Sequence, residues 1–265
     1  VACGPTDENP AAQQNRKPLG LTFIANEGVM IESGSVKILI DALFDRPNPA
    51  YEAPSDKVLR KLEQGRAPFD KVDLALITHN HPDHMSFGCV DRFMQHNRKT
   101  VLIMPRDIVE ELKTSSTDWG KIRKRVKGVD IEVNSAKDLM FKTIKLRVYR
   151  TLHSGDRESP WNFMYLLSFN GWKVFHEGDS DGKMETYRQL GFQDLEIDLA
   201  LVHFWFPLHP VGSEFLQKVA KPHHIALIHL PLELYEDAPT KIDLVKQYYT
   251  DIFLLKESME TRVFR

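Results

Sequence analysis

At 265 residues the chain is long enough to bury a substantial core, and its 42% hydrophobic and 27% charged residues are ordinary for a soluble globular protein. A formal net charge of −2 argues against a general binder of nucleic acid or anionic membrane, which needs an excess of Lys and Arg. No stretch approaches the roughly 20 continuous apolar residues that span a bilayer.

The amino end, Val1-Ala2-Cys3-Gly4, has the form of the end of a bacterial lipoprotein signal, in which a cysteine after small residues becomes the lipidated first residue. The polar residues from Pro5 to Lys17 then read as a tether, leaving 18–265 as a single folded domain. This predicts a protein of the bacterial cell envelope, periplasmic or surface-facing, touching the membrane only through Cys3. If Val1 is an arbitrary boundary, a cytoplasmic protein is the alternative.

Leu21 to Ile24, Val29 to Glu32 and Val36 to Ile40 are short β-branched and apolar runs punctuated by Gly28 and Ser33-Gly34, which predicts a strand meander ending at Asp41. Asn48 to Pro54 reads as a loop, and Ser55 as the cap of a helix through Glu63. Val72 to Ile77 is an almost unbroken apolar run of strand length, as expected of a central strand covered on both faces.

That strand delivers Thr78-His79-Asn80-His81-Pro82-Asp83-His84. Three imidazoles and a carboxylate within six residues are of no use to a folding core, because buried histidines and aspartates cost free energy unless paired or ligated. His79 and His81, two apart in an extended segment, face one side, where a single ion can take both. Pro82 turns the chain, so Asp83 and His84 can face a second ion. Cys89, beside the cluster, reads as a small buried hydrophobe and not a ligand.

Beyond it, Val90 to His96 suits a helix, Thr100 to Met104 a strand and Arg106 to Lys113 a helix, an alternation that predicts a layered α/β fold. The basic run Lys121 to Lys127 reads as a solvated face, with a seat for a phosphate or anionic polymer as the alternative. Ile131 to Val133, Leu139 to Phe141 and Ile144 to Tyr149 are expected as strands of a second sheet. Phe163 to Phe169 and Trp172 to Phe175 form a hairpin around Asn170-Gly171.

Asp198-Leu199-Ala200-Leu201-Val202-His203 nearly repeats the stretch from Asp73 to His79, suggesting a related strand in the other half of the fold. A helix near Ser213 to Ala220, the strand Ile225 to Ile228, a helix from Lys241 to Tyr249 and the strand Ile252 to Leu255 complete the chain. Asp41, the His79 to His84 cluster, His153, Asp179, His203 and His229 all stand at or just past predicted strand ends. They can meet only if the sheets stack with those ends on one edge, where α/β folds place their sites.

Those motifs, in that order from about Leu19 onward, resemble the metallo-β-lactamase-fold hydrolase superfamily. The resemblance implies a four-layer αββα sandwich. Phe23 to Phe44, His176 to Ser180 and Ile197 to Leu201 resemble its branch of ascorbate-6-phosphate lactonase-like and N-acyl-phosphatidylethanolamine phospholipase-like proteins. The resemblance implies one metal held by His79, His81 and His153, another by Asp83, His84 and His229, and Asp179 between them, with Asp41 supporting the site from behind. Asp179 itself counts against β-lactam hydrolysis, since the true β-lactamases of the superfamily lack a bridging aspartate there.

The donor types suit two Zn²⁺ ions and tolerate Mn²⁺ or Fe²⁺. A hydroxide shared by the ions would attack an ester, lactone or phosphodiester of a small molecule or lipid. Asp83 and His203 are the candidate catalytic side chains, His203 as general acid or substrate contact, with a supporting role as its alternative. His176 reads as structural support. Trp161, Phe204, Trp205 and Phe206 are expected to wall the substrate pocket or to pack the loops. A nuclease and a non-catalytic, metal-stabilised binding module are the rival functions, and no nucleic-acid partner is expected.

Overall fold

The computed structural model describes residues 16–45, 48–155 and 161–265. Cys3, the tether as far as Asn15, and residues 156–160 of the loop before Trp161 lie outside the described residues. Arg16 and Lys17, assigned above to the tether, engage the folded body. The Arg16 guanidinium lies 3.7 Å over the Trp172 ring and pairs with Asp198, and the Lys17 carbonyl accepts the Trp172 indole N–H at 2.8 Å.

Two seven-stranded sheets make up the centre. The first half of the chain gives β1 (Leu19–Ala25), β2 (Gly28–Ser33), β3 (Val36–Ile40), helix α1 (Asp56–Glu63), β4 (Leu74–Leu76), helix α2 (Phe87–His96), β5 (Val101–Pro105), helices α3 (Val109–Ser115) and α4 (Trp119–Ile122), and β6 (Val126–Val129). The second gives β7 (Ser135–Phe141), β8 (Ile144–Leu152), β9 (Trp161–Phe169), β10 (Trp172–His176), α5 (Met184–Gln189), β11 (Leu199–His203), α6 (Pro210–Glu214), β12 (His224–Ile228), α7 (Ala238–Val245), β13 (Ile252–Leu254) and β14 (Thr261–Phe264). The sheet orders are β14-β1-β2-β3-β4-β5-β6 and β13-β12-β11-β10-β9-β8-β7.

The period of two along each strand builds the layers. Ile38, Ile40, Leu74 and Leu76 share a core with Val148, Leu167, Leu199 and Leu201 between the sheets. Their alternates Leu39, Ala75 and Leu102 pack under Leu62, Phe93 and Leu112 of α1, α2 and α3. Ala200, Val202 and Leu227 pack against Tyr187, Phe215 and Ile242 on the other side. Three apolar layers between helix, sheet, sheet and helix make a four-layer αββα sandwich.

The near-repeat has a structural counterpart. β4 is the third strand from the β6 edge and β11 the third from the β13 edge, each in parallel register with its neighbours. Asp73 accepts the Lys37 backbone N–H at 3.2 Å, and Asp198 accepts that of Lys173 at 2.6 Å. Asp41 N–H donates to the Leu76 carbonyl as Glu177 N–H donates to that of Leu201. The same polypeptide path therefore leads a carboxylate residue, Asp41 or Glu177, to the same edge in both halves.

Several elements depart from expectation. Ile131 to Val133 is not a strand, because the chain turns at Val133-Asn134, where Asn134 takes φ +57°. The segment from Arg106 is a 3₁₀ turn before α3, and Phe215–Ala220 is a π-helical turn after α6. α7 starts at Ala238 because Pro239 suits a first helical turn, and it ends at Val245. The basic run spans the end of α4 and the start of β6. Within it Arg125 donates to the carbonyls of Met94, Asn97 and Thr100 at 2.7, 3.0 and 3.1 Å, closing the carboxyl end of α2. Among the described residues no helix is long and apolar enough to cross a membrane.

Candidate metal centre

The carboxyl ends of β3, β4, β8, β10, β11 and β12 lie on one edge of the sandwich and carry Asp41, His79, His153, Asp179, His203 and His229. The β1–β2 turn adds Asn26 and Glu27. The two sheets are tied there: Phe163 N–H donates to the Thr78 carbonyl at 3.1 Å, and Ser154 N–H to the Asp179 carbonyl at 2.8 Å. Asp41 and His229 hold φ of +45° and +56°, a left-handed backbone that non-glycine residues adopt at a cost, which is common where a site fixes the chain.

Two donor groups converge. His79, His81, His153 and Asp179 each offer one ligand atom within 4.8 Å of the others, and so do Asp83, His84 and His229. Asp179 lies at the junction, with Oδ2 3.2 Å from His153 Nε2 and Oδ1 3.3 Å from His84 Nε2. Asp83 Oδ2 is 3.4 Å from His229 Nε2 and accepts the Asn26 amide at 3.1 Å.

Outer hydrogen bonds fix which nitrogen of each ring faces inward. The Thr78 hydroxyl donates to Asp41 Oδ2 at 2.5 Å, so it accepts the Nδ1–H of His79 at 2.9 Å, leaving the Nε2 lone pair bare. His84 Nδ1–H donates to Asp41 Oδ2 at 3.0 Å, and His153 Nδ1–H to the Ser154 carbonyl at 2.9 Å. Such partners orient metal-binding imidazoles and raise their basicity. As a result, His79 Nε2 faces His81 Nδ1 at 3.0 Å and His153 Nε2 at 3.3 Å. His79 and His153 both turn lone pairs into that gap. The contact is repulsive between neutral rings and favourable once a cation sits among them, so the residues fit a metal.

Electrostatics separates the two groups. Burial, then the neighbouring His84, holds His79 well below the usual imidazole range, which keeps it neutral and able to ligate. Burial opposes charge on His84, but Asp179 and the hydrogen bond to Asp41 outweigh it and hold its pKa well above that range. Burial likewise opposes charge on Asp179, and His84 and His229 override it to hold the carboxyl well below its usual value.

A sign follows for metal uptake. In metal-free protein near neutral pH His84 carries a proton that an ion must displace, whereas His79 carries none to lose. Calorimetric titration in buffers of different ionisation enthalpy should show proton release on filling the Asp83–His84–His229 position, with affinity there falling as pH drops. Uptake at that position without proton release would contradict this charge arrangement.

The remaining expected residues sort by strand alternation. Trp205 lies on the side of His203, its ring 4.4 Å from that of His203 and 5.4 Å from that of His229. Phe204 and Phe206 correct the expectation of a pocket wall. They are 3% and 5% exposed and face the core, Phe206 against Tyr187 and Phe215. Trp161 packs at the edge of the core below α1 and α2. His176 accepts the Gly178 N–H on Nδ1 at 3.1 Å, shaping the turn that presents Asp179.

His203 is buried and donates from Nε2 to Asp179 Oδ1 at 3.0 Å. Sequence reasoning missed Asn26, Glu27 and Tyr51. Asn26-Glu27-Gly28 reads as an exposed hairpin turn, yet Glu27 is 0% exposed. Tyr51 lies in a loop without a motif, its ring 4.3 Å from that of His229.

Residues 36–241 match the model of the beta-lactamase superfamily domain. The chain belongs to that superfamily. Its metallo-β-lactamase fold agrees with the solved structures it resembles. Igni18, described as a metallo hydrolase, from Ignicoccus hospitalis KIN4/I, is 15% identical, with a TM-score of 0.64 over 94% of this chain and 99% of that one. CmlA, described as a diiron β-hydroxylase, from Streptomyces venezuelae, is 15% identical with a TM-score of 0.55, over 99% of this chain and 55% of that one. In sequence, a UPF0173 metal-dependent hydrolase of Natranaerobius thermophilus is 24% identical over 254 residues, covering 91% of this chain and 98% of that protein.

Proposed function

We propose that this chain hydrolyses an ester, lactone or phosphodiester of a small molecule or lipid with two metal ions. The broader statement rests on the family and on relatives named as metal-dependent hydrolases: the chain is a metal-dependent hydrolase. The observation that carries the two-ion reading is the convergence of oriented imidazoles into two groups that meet at Asp179.

Divalent ions seated there would supply Lewis acidity and a water ionised near neutral pH. The protein's own contribution is placement. His79, His81, His153 and Asp179 would hold one ion, and Asp83, His84, His229 and Asp179 the other. Asn26 fixes the Asp83 carboxylate, and the Asp41–Thr78 pair fixes the two rings behind it.

Trp205 and Tyr51 flank His229 and give the entrance apolar faces. Burial and the carboxylates Asp83, Asp179 and Glu27 raise the Tyr51 phenol above its ordinary value, so it stays protonated as a hydrogen-bond donor for a substrate oxygen. His203 is engaged with Asp179 and shielded by Trp205, which favours a supporting role over that of general acid. Against the nuclease alternative, Arg125 of the basic run is engaged with backbone carbonyls and serves the fold. A lipid anchor on Cys3 would hold the enzyme at the cell envelope.

Metal content of the purified protein, with turnover of bis(p-nitrophenyl) phosphate and a p-nitrophenyl ester before and after chelation, tests this reading. Two equivalents of metal and turnover of at least one compound are expected, abolished by chelator, restored by metal and absent in His81→Ala. Tightly held metal without turnover across a broad ester and phosphodiester panel would favour a binding module instead.

A further inference from the structure

The β1–β2 turn carries a carboxylate that the two donor groups above do not use. Glu27 is fully buried, and neither of its carboxylate oxygens accepts a hydrogen bond among the described residues. The surrounding N–H groups are committed elsewhere. His203 Nε2 lies 2.9 Å from Glu27 Oε1 but directs its hydrogen at Asp179 Oδ1. His84 Nδ1, 3.7 Å from Oε2, donates to Asp41. His176 Nε2, 3.9 Å from Oε2, points at the Glu27 backbone carbonyl, 3.4 Å away. In the metal-free protein the charge of Glu27 is met by the His203 and His84 rings, 2.9 and 3.7 Å away, and a metal ion seated among them would take over that role.

We propose that Glu27 and His203 are ligands of the second ion, joining Asp83, His84, His229 and Asp179. The proposal rests on the two-ion reading above and extends one of its positions. Glu27, Asp179, His203 and His229 each place a ligand atom within 4.8 Å of the others, and this group shares His229 with the Asp83–His84 group. Through the shared His229 the two groups adjoin.

The spacing supports this. Donors about 2.1 Å from one ion stand about 3.0 Å apart at a right angle and about 3.4 Å apart at the tetrahedral angle. Glu27 Oε1 to His203 Nε2 is 2.9 Å, His203 Nε2 to Asp179 Oδ1 3.0 Å, and His84 Nε2 to Asp179 Oδ1 3.3 Å. In the ligated form His203 binds through the Nε2 lone pair and keeps its proton on Nδ1. Adding Glu27 and His203 gives this position more oxygen and nitrogen donors than the four on which Zn²⁺ settles, which favours Mn²⁺ or Fe²⁺ there. The first position, with four donors including the half-buried His81, is then the one left open to substrate.

The test strips metal from the full chain and titrates it with Mn²⁺, following both affinities by calorimetry and the bound ions by electron paramagnetic resonance. Wild type should bind two ions. Glu27→Gln, which keeps size and removes the charge, should weaken one of them at least fivefold and leave the other unchanged, and His203→Asn should weaken the same one. His81→Ala should weaken the opposite one. The unchanged position in each variant reports that the variant is folded. Retention of both affinities within fivefold in Glu27→Gln or in His203→Asn overturns the proposal while leaving the two-ion reading standing. Failure of wild type to bind two ions overturns both.

Discussion

Asp179→Asn is expected to lower turnover by about 10³-fold or more, the loss of several kcal/mol of transition-state stabilisation that a metal position supplies. The reason lies in its two oxygens, which between them reach both groups. Oδ2 is 3.2, 3.7 and 3.8 Å from His153, His229 and His79, while Oδ1 is 3.0 and 3.3 Å from His203 and His84. Asparagine preserves the volume but replaces one oxygen with an NH₂ group, which cannot ligate and which presents hydrogens to whichever group it faces. One ion should therefore be lost or held far more weakly, and the metal content of dialysed protein should fall below that of wild type. The backbone around it is fixed independently, by Asp179 N–H donating to Asn162 Oδ1 at 3.1 Å and by the Asn162 amide donating to the Glu177 carbonyl at 2.9 Å. Near-ultraviolet circular dichroism should then be unchanged. Turnover within tenfold of wild type, with full metal content, would remove Asp179 from the bridging role.

The layered fold was legible because its strands alternate cleanly, with Ile38 and Ile40 on one side and Leu39 on the other. The candidate ligands were legible because most of them follow such a run. What escaped notice depends on partners distant in sequence. β14 is four residues with only Phe264 buried, and it exists through pairing with β1 at Leu19 to Thr22. β6 was hidden by its lysine and arginine neighbours, which lie on an exposed edge.

Glu27 shows the clearest limit. Its local sequence is that of a solvent-facing turn, and only the stacking of the second sheet over the strand ends buries it. Alternation could have separated Trp205 from Phe204 and Phe206, since residues two apart from His203 share its side of the strand.

Asp41→Asn should weaken metal binding at the Asp83–His84–His229 position by about 10- to 100-fold, the range for losing an outer partner of a ligand, and should destabilise the fold by about 2–4 kcal/mol. Asparagine tolerates the left-handed region, so the φ of +45° at this position is kept and the effect isolates hydrogen bonding. Asp41 Oδ1 accepts the Thr78 N–H at 2.8 Å, and Oδ2 accepts both the Thr78 hydroxyl and His84 Nδ1–H. An amide has one oxygen for these three donors. With its oxygen on the backbone N–H, its NH₂ group faces the Thr78 hydroxyl and His84. The ring must then turn Nδ1 into an acceptor and move its proton to Nε2, the atom that should ligate. With the amide flipped, the buried Thr78 N–H is left opposite another donor. Either arrangement costs stability. The first disables His84 directly and, by taking the acceptor from the Thr78 hydroxyl, loosens His79 as well, while His81 and His153 keep their orientation. Competition with a chromophoric chelator should therefore show one ion weakened much more than the other, alongside a lower urea midpoint. Equal weakening of both ions would mean that Asp41 supports the whole edge through Thr78 and not His84 in particular.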